Sequence, residues 1–128
     1  MDGVKTLHIG IASPGYVERR MLEIAHGGKL RPGEPKVWMS SFESLAKVLS
    51  DKNMALLLTI RNSRPQSVTE LARLSGRAVS NLSRTLHSME RLGLVKFEEA
   101  SGGRKVPTAI FTKVKLECTI EPPQPKAA

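Results

Sequence analysis

SVTELARLSGRAVSNLSRTLHSMERLGLV, residues 67–95, and the following KFEEASGGRKVPTAIFTK, residues 96–113, hold two helical patterns parted by one glycine and then a strand-like alternation around a glycine pair. Ser67 is placed to cap the first helix and Glu70 to reach back to its start, the reciprocal arrangement that satisfies two orphan backbone donors. Val68, Leu71, Ala72 and Leu74 then recur on one side, so this helix is expected to be short and half buried. Gly76 stands where a left-handed residue ends a helix and lets the next one leave at a steep angle.

The second helix is expected over about Ala78 to Leu92. Stepped at about 100° per residue, Ala78, Val79, Leu82, Leu86 and Met89 share one face, which is assigned to the core. The opposite side collects Arg77, Ser80, Asn81, Ser83, Arg84, His87, Ser88 and Arg91. These combine positive charge with short hydrogen-bonding groups, the chemistry that base edges accept: Arg to guanine, Asn to adenine, Ser to either. Gly93 stops the helix, and Leu94 to Glu98 alternates as a strand does. Ser101-Gly102-Gly103 turns the chain, Arg104 and Lys105 follow, and Thr108 to Phe111 is expected as the return strand. Gly102-Gly103 also resembles part of a phosphate-cradling loop, but no helix follows to offer an amino-terminal dipole, so it is read as a turn.

Helix, turn, helix and hairpin in that order is the winged helix-turn-helix pattern, one helix for a groove of duplex DNA and one hairpin for the flanking backbone. An exposed basic helix face is otherwise a merely solvated one, and the hairpin is what favours groove contact here. Asn81 and Arg84, near the middle of the polar face, are the expected base readers. Arg77 and Arg91 flank them and are expected at phosphates, with Arg104 and Lys105 reaching the backbone or minor groove beside the site.

The same residues carry a family resemblance. SVTELARLSGRAVSNLSRTLHSMERLGLV, with its hairpin ending in GRKVP, resembles prokaryotic winged-helix transcriptional regulators of the multiple-antibiotic-resistance and arsenical-resistance repressor type, over about Asn53 to Lys113. With KTLHIGI and EPKVWMSSFESLAKVLSDKN added, the whole chain resembles a group of small DNA-binding proteins of archaea and bacteria regarded as antitoxins of toxin–antitoxin pairs. That resemblance implies a regulator that represses its own operon and neutralises a neighbouring toxin protein.

Charge agrees with a nucleic-acid partner. The chain carries a net +8, and residues 61–113 hold 10 Arg and Lys against 4 Asp and Glu, whereas residues 1–60 hold 8 against 6. The positive field therefore lies over the proposed reading head. With 128 residues, 40% of them hydrophobic, the chain supplies one core. The longest apolar run, Met54 to Leu58, is far short of a membrane span, and the start Met-Asp-Gly-Val-Lys lacks a secretory signal, so a cytoplasmic protein is expected. The one cysteine, Cys118, excludes an intramolecular disulfide and is expected to be buried on a last apolar face with Val114, Leu116 and Ile120. His8, His26 and His87 have no ligand spacing, and neither a metal nor another cofactor is expected. No nucleophile elbow, phosphate loop, HExxH or paired-carboxylate site is present, so enzymatic function is not expected. Aromatic residues make up 4% of the chain and are not interleaved with basic ones, which argues against RNA or single-strand stacking.

Ahead of the head, Thr6 to Ile11 reads as a strand, and Ser13-Pro14 starts a helix through Tyr16, Val17, Met21, Leu22 and Ile24. Lys36 to Met39 reads as a short strand. Ser40 with Glu43 caps a helix carrying Phe42, Leu45, Ala46, Val48 and Leu49. Asp51 caps another with Met54, Leu57, Leu58 and Ile60 inward. The expected organisation is an α+β, mainly helical chain: an N-terminal strand–helix extension (1–50) serving as a dimerisation or partner-binding layer, a winged helix-turn-helix domain (51–120), and a disordered tail (121–128). A homodimer on double-stranded DNA with a palindromic operator follows from two-fold economy of contacts. The alternative function is a winged-helix protein-interaction module that holds a toxin or other partner without strong DNA specificity.

Overall fold

The computed structural model describes residues 5–120, and the expected disordered tail lies outside them. The chain is α+β and about half helical, with five helices, a three-stranded sheet and a two-stranded hairpin among the described residues. It divides into two compact units, Ala46–Thr112 with Lys5, and Thr6–Leu45 with 113–120. The sequence boundary at residue 50 put the last strand in the head. The structure gives that strand to the N-terminal unit, because it pairs there with the first strand.

In the N-terminal unit, β1 (Thr6–Ile11), α1 (Pro14–Ala25) and β2 (Val37–Met39) form a β-α-β unit, and β1 and β2 run parallel. Parallel neighbours need a crossover, which α1 supplies. The last strand, here β5 (Lys113–Cys118), pairs parallel to the other side of β1, giving the order β2-β1-β5. Gly10 is required at the centre: a Cβ there would lie 2.6 Å from the Trp38 ring and 2.8 Å from Pro35. The bare backbone lets Trp38 lie across β1 and meet Tyr16, with ring centroids 5.5 Å apart.

Helix α1 buries a charged side chain rather than an apolar one. Its buried residue is Arg20, while Met21 and Leu22 are exposed. The cause is the loop after the helix: Glu34 receives hydrogen bonds from Arg20 Nε and, at 2.6 Å, Nη2, and Arg20 Nη2 also donates to the Lys29 carbonyl at 2.9 Å. Both charged side chains are covered, and the hydrogen bond from Arg20 holds the Glu34 carboxyl below the usual carboxylate range. Cys118 is also corrected: it is exposed, because β5 is an edge strand whose apolar residues are not covered as those of β1 are.

The second unit begins within α2 (Phe42–Val48), whose N-terminus is capped by Ser41 rather than Ser40. It continues with α3 (Asp51–Ser63), α4 (Val68–Ser75), α5 (Val79–Leu92) and the antiparallel hairpin of β3 (Lys96–Glu99) and β4 (Lys105–Thr108). Ser50, not Asp51, caps α3. That helix turns a different face inward than its Met and Leu positions suggested: Asn53, Leu56 and Ile60 are buried, and Met54 and Leu58 are 46% and 59% exposed. Apolar residues ring α3 nearly all round, so spacing alone did not select the buried side.

Helices α4 and α5 keep their expected bounds to within a residue. Glu70 N–H donates to Ser67 Oγ at 3.0 Å, and the Glu70 carboxylate accepts from Gln66 N–H at 3.3 Å, one residue earlier than the expected partner. Gly76, with φ 72°, ends α4, and Gly93, with φ 86°, ends α5. Leu74 and Val79, assigned to the core, are 41% and 47% exposed. Each sits at the end of its helix nearest the turn. Ala78 is the residue before α5 and is likewise exposed.

Candidate nucleic-acid interface

Helix α5 separates its two chemistries cleanly. Leu82, Leu86 and Met89 are fully buried, and Leu92 nearly so. Ser80, Asn81, Arg84, His87 and Arg91 are exposed, with Ser83 and Ser88 half-buried. Turning the apolar stripe inward is what projects the polar stripe outward: the residues that hold the helix and those that face solvent are the two sides of one 3.6-residue period.

The exposed side chains differ in how far they are already engaged. Arg84 has no side-chain hydrogen bond or ion pair among the described residues, and neither do Ser80, Ser83, Arg104 and Lys105. Arg91 donates to Ser88 Oγ at 3.3 Å, and Ser88 Oγ donates to the Arg84 carbonyl at 3.3 Å, both links within one helical turn. His87 leans on the hairpin, its ring 5.8 Å from that of Phe97 in β3, with Glu90 at 3.8 Å.

Arg77, expected at a phosphate, is engaged within the fold. From the turn between α4 and α5, its Nη1 donates to Asn53 Oδ1 at 3.0 Å, and its Nη2 donates to Asn81 Oδ1 at 3.0 Å and Thr85 Oγ1 at 2.9 Å. Its Nε is buried without a hydrogen-bond partner. Asn53, 7% exposed, completes the link by donating its amide to the carbonyls of Lys47 at 3.2 Å and Val48 at 3.0 Å, the end of α2. One guanidinium and one carboxamide thus tie the ends of α2, α3 and α5 together, and Asn81 enters the site with its oxygen already accepting one bond. Sequence reasoning missed Asn53 and Thr85. The available signal was a polar residue at Asn53 in helical register with Leu56 and Ile60.

The hairpin is shorter than expected and returns sooner. Gly102 and Gly103 take φ of 77° and 75°, and Ala100 N–H donates to the Arg104 carbonyl at 2.7 Å, closing a tight loop. Pairing therefore begins at Glu99 opposite Lys105 and runs to Lys96 opposite Thr108. The return strand is Lys105–Thr108, not Thr108 to Phe111, and Leu94 and Val95 are buried ahead of β3 rather than alternating within it. Arg104 and Lys105 stand exposed at the tip, with Lys105 paired to Glu99 on the other strand.

A family model described as HVO_A0114 matches residues 48–116, more than half of the chain. The chain belongs to the HVO_A0114 family. The matched span runs from the end of α2 through α3, α4, α5 and the hairpin into β5, and so contains Asn53, Arg77, the whole polar face of α5 and the hairpin tip. No curated protein matches the chain.

Beside the hairpin, a cleft of about 550 Å³ is lined by Arg61, Arg64 and Gln66 from α3 and the segment after it, and by Glu98, Val106 and Thr108 from the strands. Arg61 Nη1 donates to the Ala109 carbonyl at 3.2 Å across it. Among the described residues no three His, Cys, Asp or Glu gather as a metal site, and no helix is long and apolar enough to cross a membrane.

Proposed function

We propose that this chain is a sequence-specific, double-stranded DNA-binding transcriptional regulator in which α4, α5 and the β3–β4 hairpin act as a winged helix-turn-helix. The observation that carries this is the outer face of α5. Arg84 and Ser80 are exposed there without internal partners, between Asn81 and His87, on a helix whose other face is anchored by fully buried Leu82, Leu86 and Met89. A rigid helix presenting uncommitted donors is what groove readout requires, and the excess of Arg and Lys over residues 61–113 supplies the field that draws DNA to it.

The roles divide as follows. Arg84 and Asn81 read bases, aided by Ser80, Ser83, His87 and Ser88, while Arg91 meets the phosphate backbone. Arg104 and Lys105 at the hairpin tip hold the backbone or minor groove alongside. Arg77 serves the site from behind, setting the angle at which α5 leaves the turn. Two copies bind a palindromic site as a homodimer in the cytoplasm. The resemblance extends the reading to repression of the chain's own operon and to an antitoxin that covers a toxin protein. Met54 and Leu58, exposed on α3, are apolar side chains that such a partner would bury.

Selection from randomised duplex DNA with the purified chain tests this directly. The expected result is an enriched two-fold symmetric site whose binding resists single-stranded DNA and RNA competitors. Absence of any enriched sequence, or equal displacement by single strands, would overturn it.

A further inference from the structure

The edge strand β5 carries a second, separate pattern. It closes one side of the sheet, so one row of its backbone donors and acceptors faces away from β1 with no strand on it among the described residues. Such an edge pairs readily unless something blunts it. Val114, Leu116 and Cys118 stand in register with Leu7, Ile9 and Ile11 of β1. The β1 residues are buried, yet Leu116 is 52% exposed and Cys118 is exposed. The apolar face of the sheet thus runs outward past its own edge.

The opposite face of β5 holds Lys113, Lys115 and Glu117, and their order is self-complementary. A two-fold axis sets a strand antiparallel to its own copy. With the axis at Leu116, Lys115 lies opposite the copy's Glu117 and Glu117 opposite the copy's Lys115. Val114 then meets Cys118, and Leu116 meets Leu116. Moving the axis to Lys115 or Glu117 puts like charges face to face, and moving it by half a step sets apolar residues against charged ones. We infer that β5 pairs antiparallel with β5 of a second copy of this chain, centred on Leu116, to make one continuous six-stranded sheet. This names the interface of the homodimer in the proposed function, and it does not depend on DNA.

Light scattering of the full chain, with two kinds of variant, tests the pairing. Wild type should be a dimer at micromolar concentration. K115E should raise the dimer dissociation constant about ten-fold or more, since it turns two attractive pairs repulsive, and K115E/E117K should restore it. Under mild oxidation V114C should form a disulfide-linked dimer through the native Cys118 of the other copy. Wild type should not, because the two Cys118 residues lie about 13 Å apart along the strands in this register. A monomeric wild type, a dimer indifferent to K115E, or ready Cys118–Cys118 linkage would each overturn the inference. Duplex binding measured on the same samples keeps the two readings apart: a β5-linked dimer that ignores DNA overturns the proposed function alone, and a monomer that binds DNA specifically overturns the pairing alone.

Discussion

Replacing Arg77 with Ala separates a residue that touches DNA from one that aims the helix touching it. Arg77 makes three hydrogen bonds to neutral oxygens, on Asn53, Asn81 and Thr85, from a half-buried position. At somewhat under 1 kcal/mol for each bond the loss is about 2 kcal/mol of folding stability. Asn53→Ala should cost more, about 3 kcal/mol, because it removes a buried amide and strands three partners at once: two carbonyls at the end of α2 and one Arg77 donor. The double variant should fall short of the sum by about 1 kcal/mol, the coupling expected of direct neighbours. Urea denaturation reads these values, and binding to a fixed duplex across a salt series reads the role at DNA. In Arg77→Ala, affinity should fall while the slope of log affinity against log salt stays unchanged, because no phosphate contact is lost. Undiminished stability together with a slope reduced by about one would refute the reasoning and return Arg77 to the backbone.

At the outer face of α5, Arg84→Ala and Asn81→Ala should each cost about 1–3 kcal/mol on a selected site and relax sequence preference, which repeating the selection with each variant would reveal. The Arg104→Ala/Lys105→Ala variant should weaken binding to all duplexes alike and lower the salt slope by about one per lost contact, and an unchanged slope would remove the hairpin from the interface. In the N-terminal unit, Glu34→Gln should lower stability at neutral pH by about 2 kcal/mol, between the values for exposed and deeply buried pairs. Glu34 has its folded-state pKa depressed, first by the hydrogen bond from Arg20. Its contribution is therefore complete above the unfolded value of about 4.3 and lost as pH falls through the lower folded value, so thermal melts of Glu34→Gln should show a shallower acid decline than wild type.

Much of the head was legible in the sequence because its signals act within a turn or two. A Ser67 cap, left-handed glycines at Gly76 and Gly93, and Leu82, Leu86 and Met89 at helical spacing determine where α4 and α5 start and stop and which side of α5 is polar, whatever else the chain does. The same spacing placed Ser80, Arg84, His87 and Arg91 together on the exposed side. What the tertiary structure alone decided involves segments that do not know of each other locally. Helix α3 had apolar residues on more than one face, and only packing buried Leu56 and Ile60 while leaving Met54 and Leu58 outside. Arg77 looked like one more cation on a basic face until the fold brought Asn53 within 3.0 Å of it. The last strand was assigned to the head by its place in the chain, and its pairing with β1 from the other end of the chain moved it to the N-terminal unit and left Cys118 exposed. Periodicity and capping are set by neighbours in the chain, whereas strand partners and the choice between two similar helix faces depend on the free energy of contacts that exist only once distant residues meet.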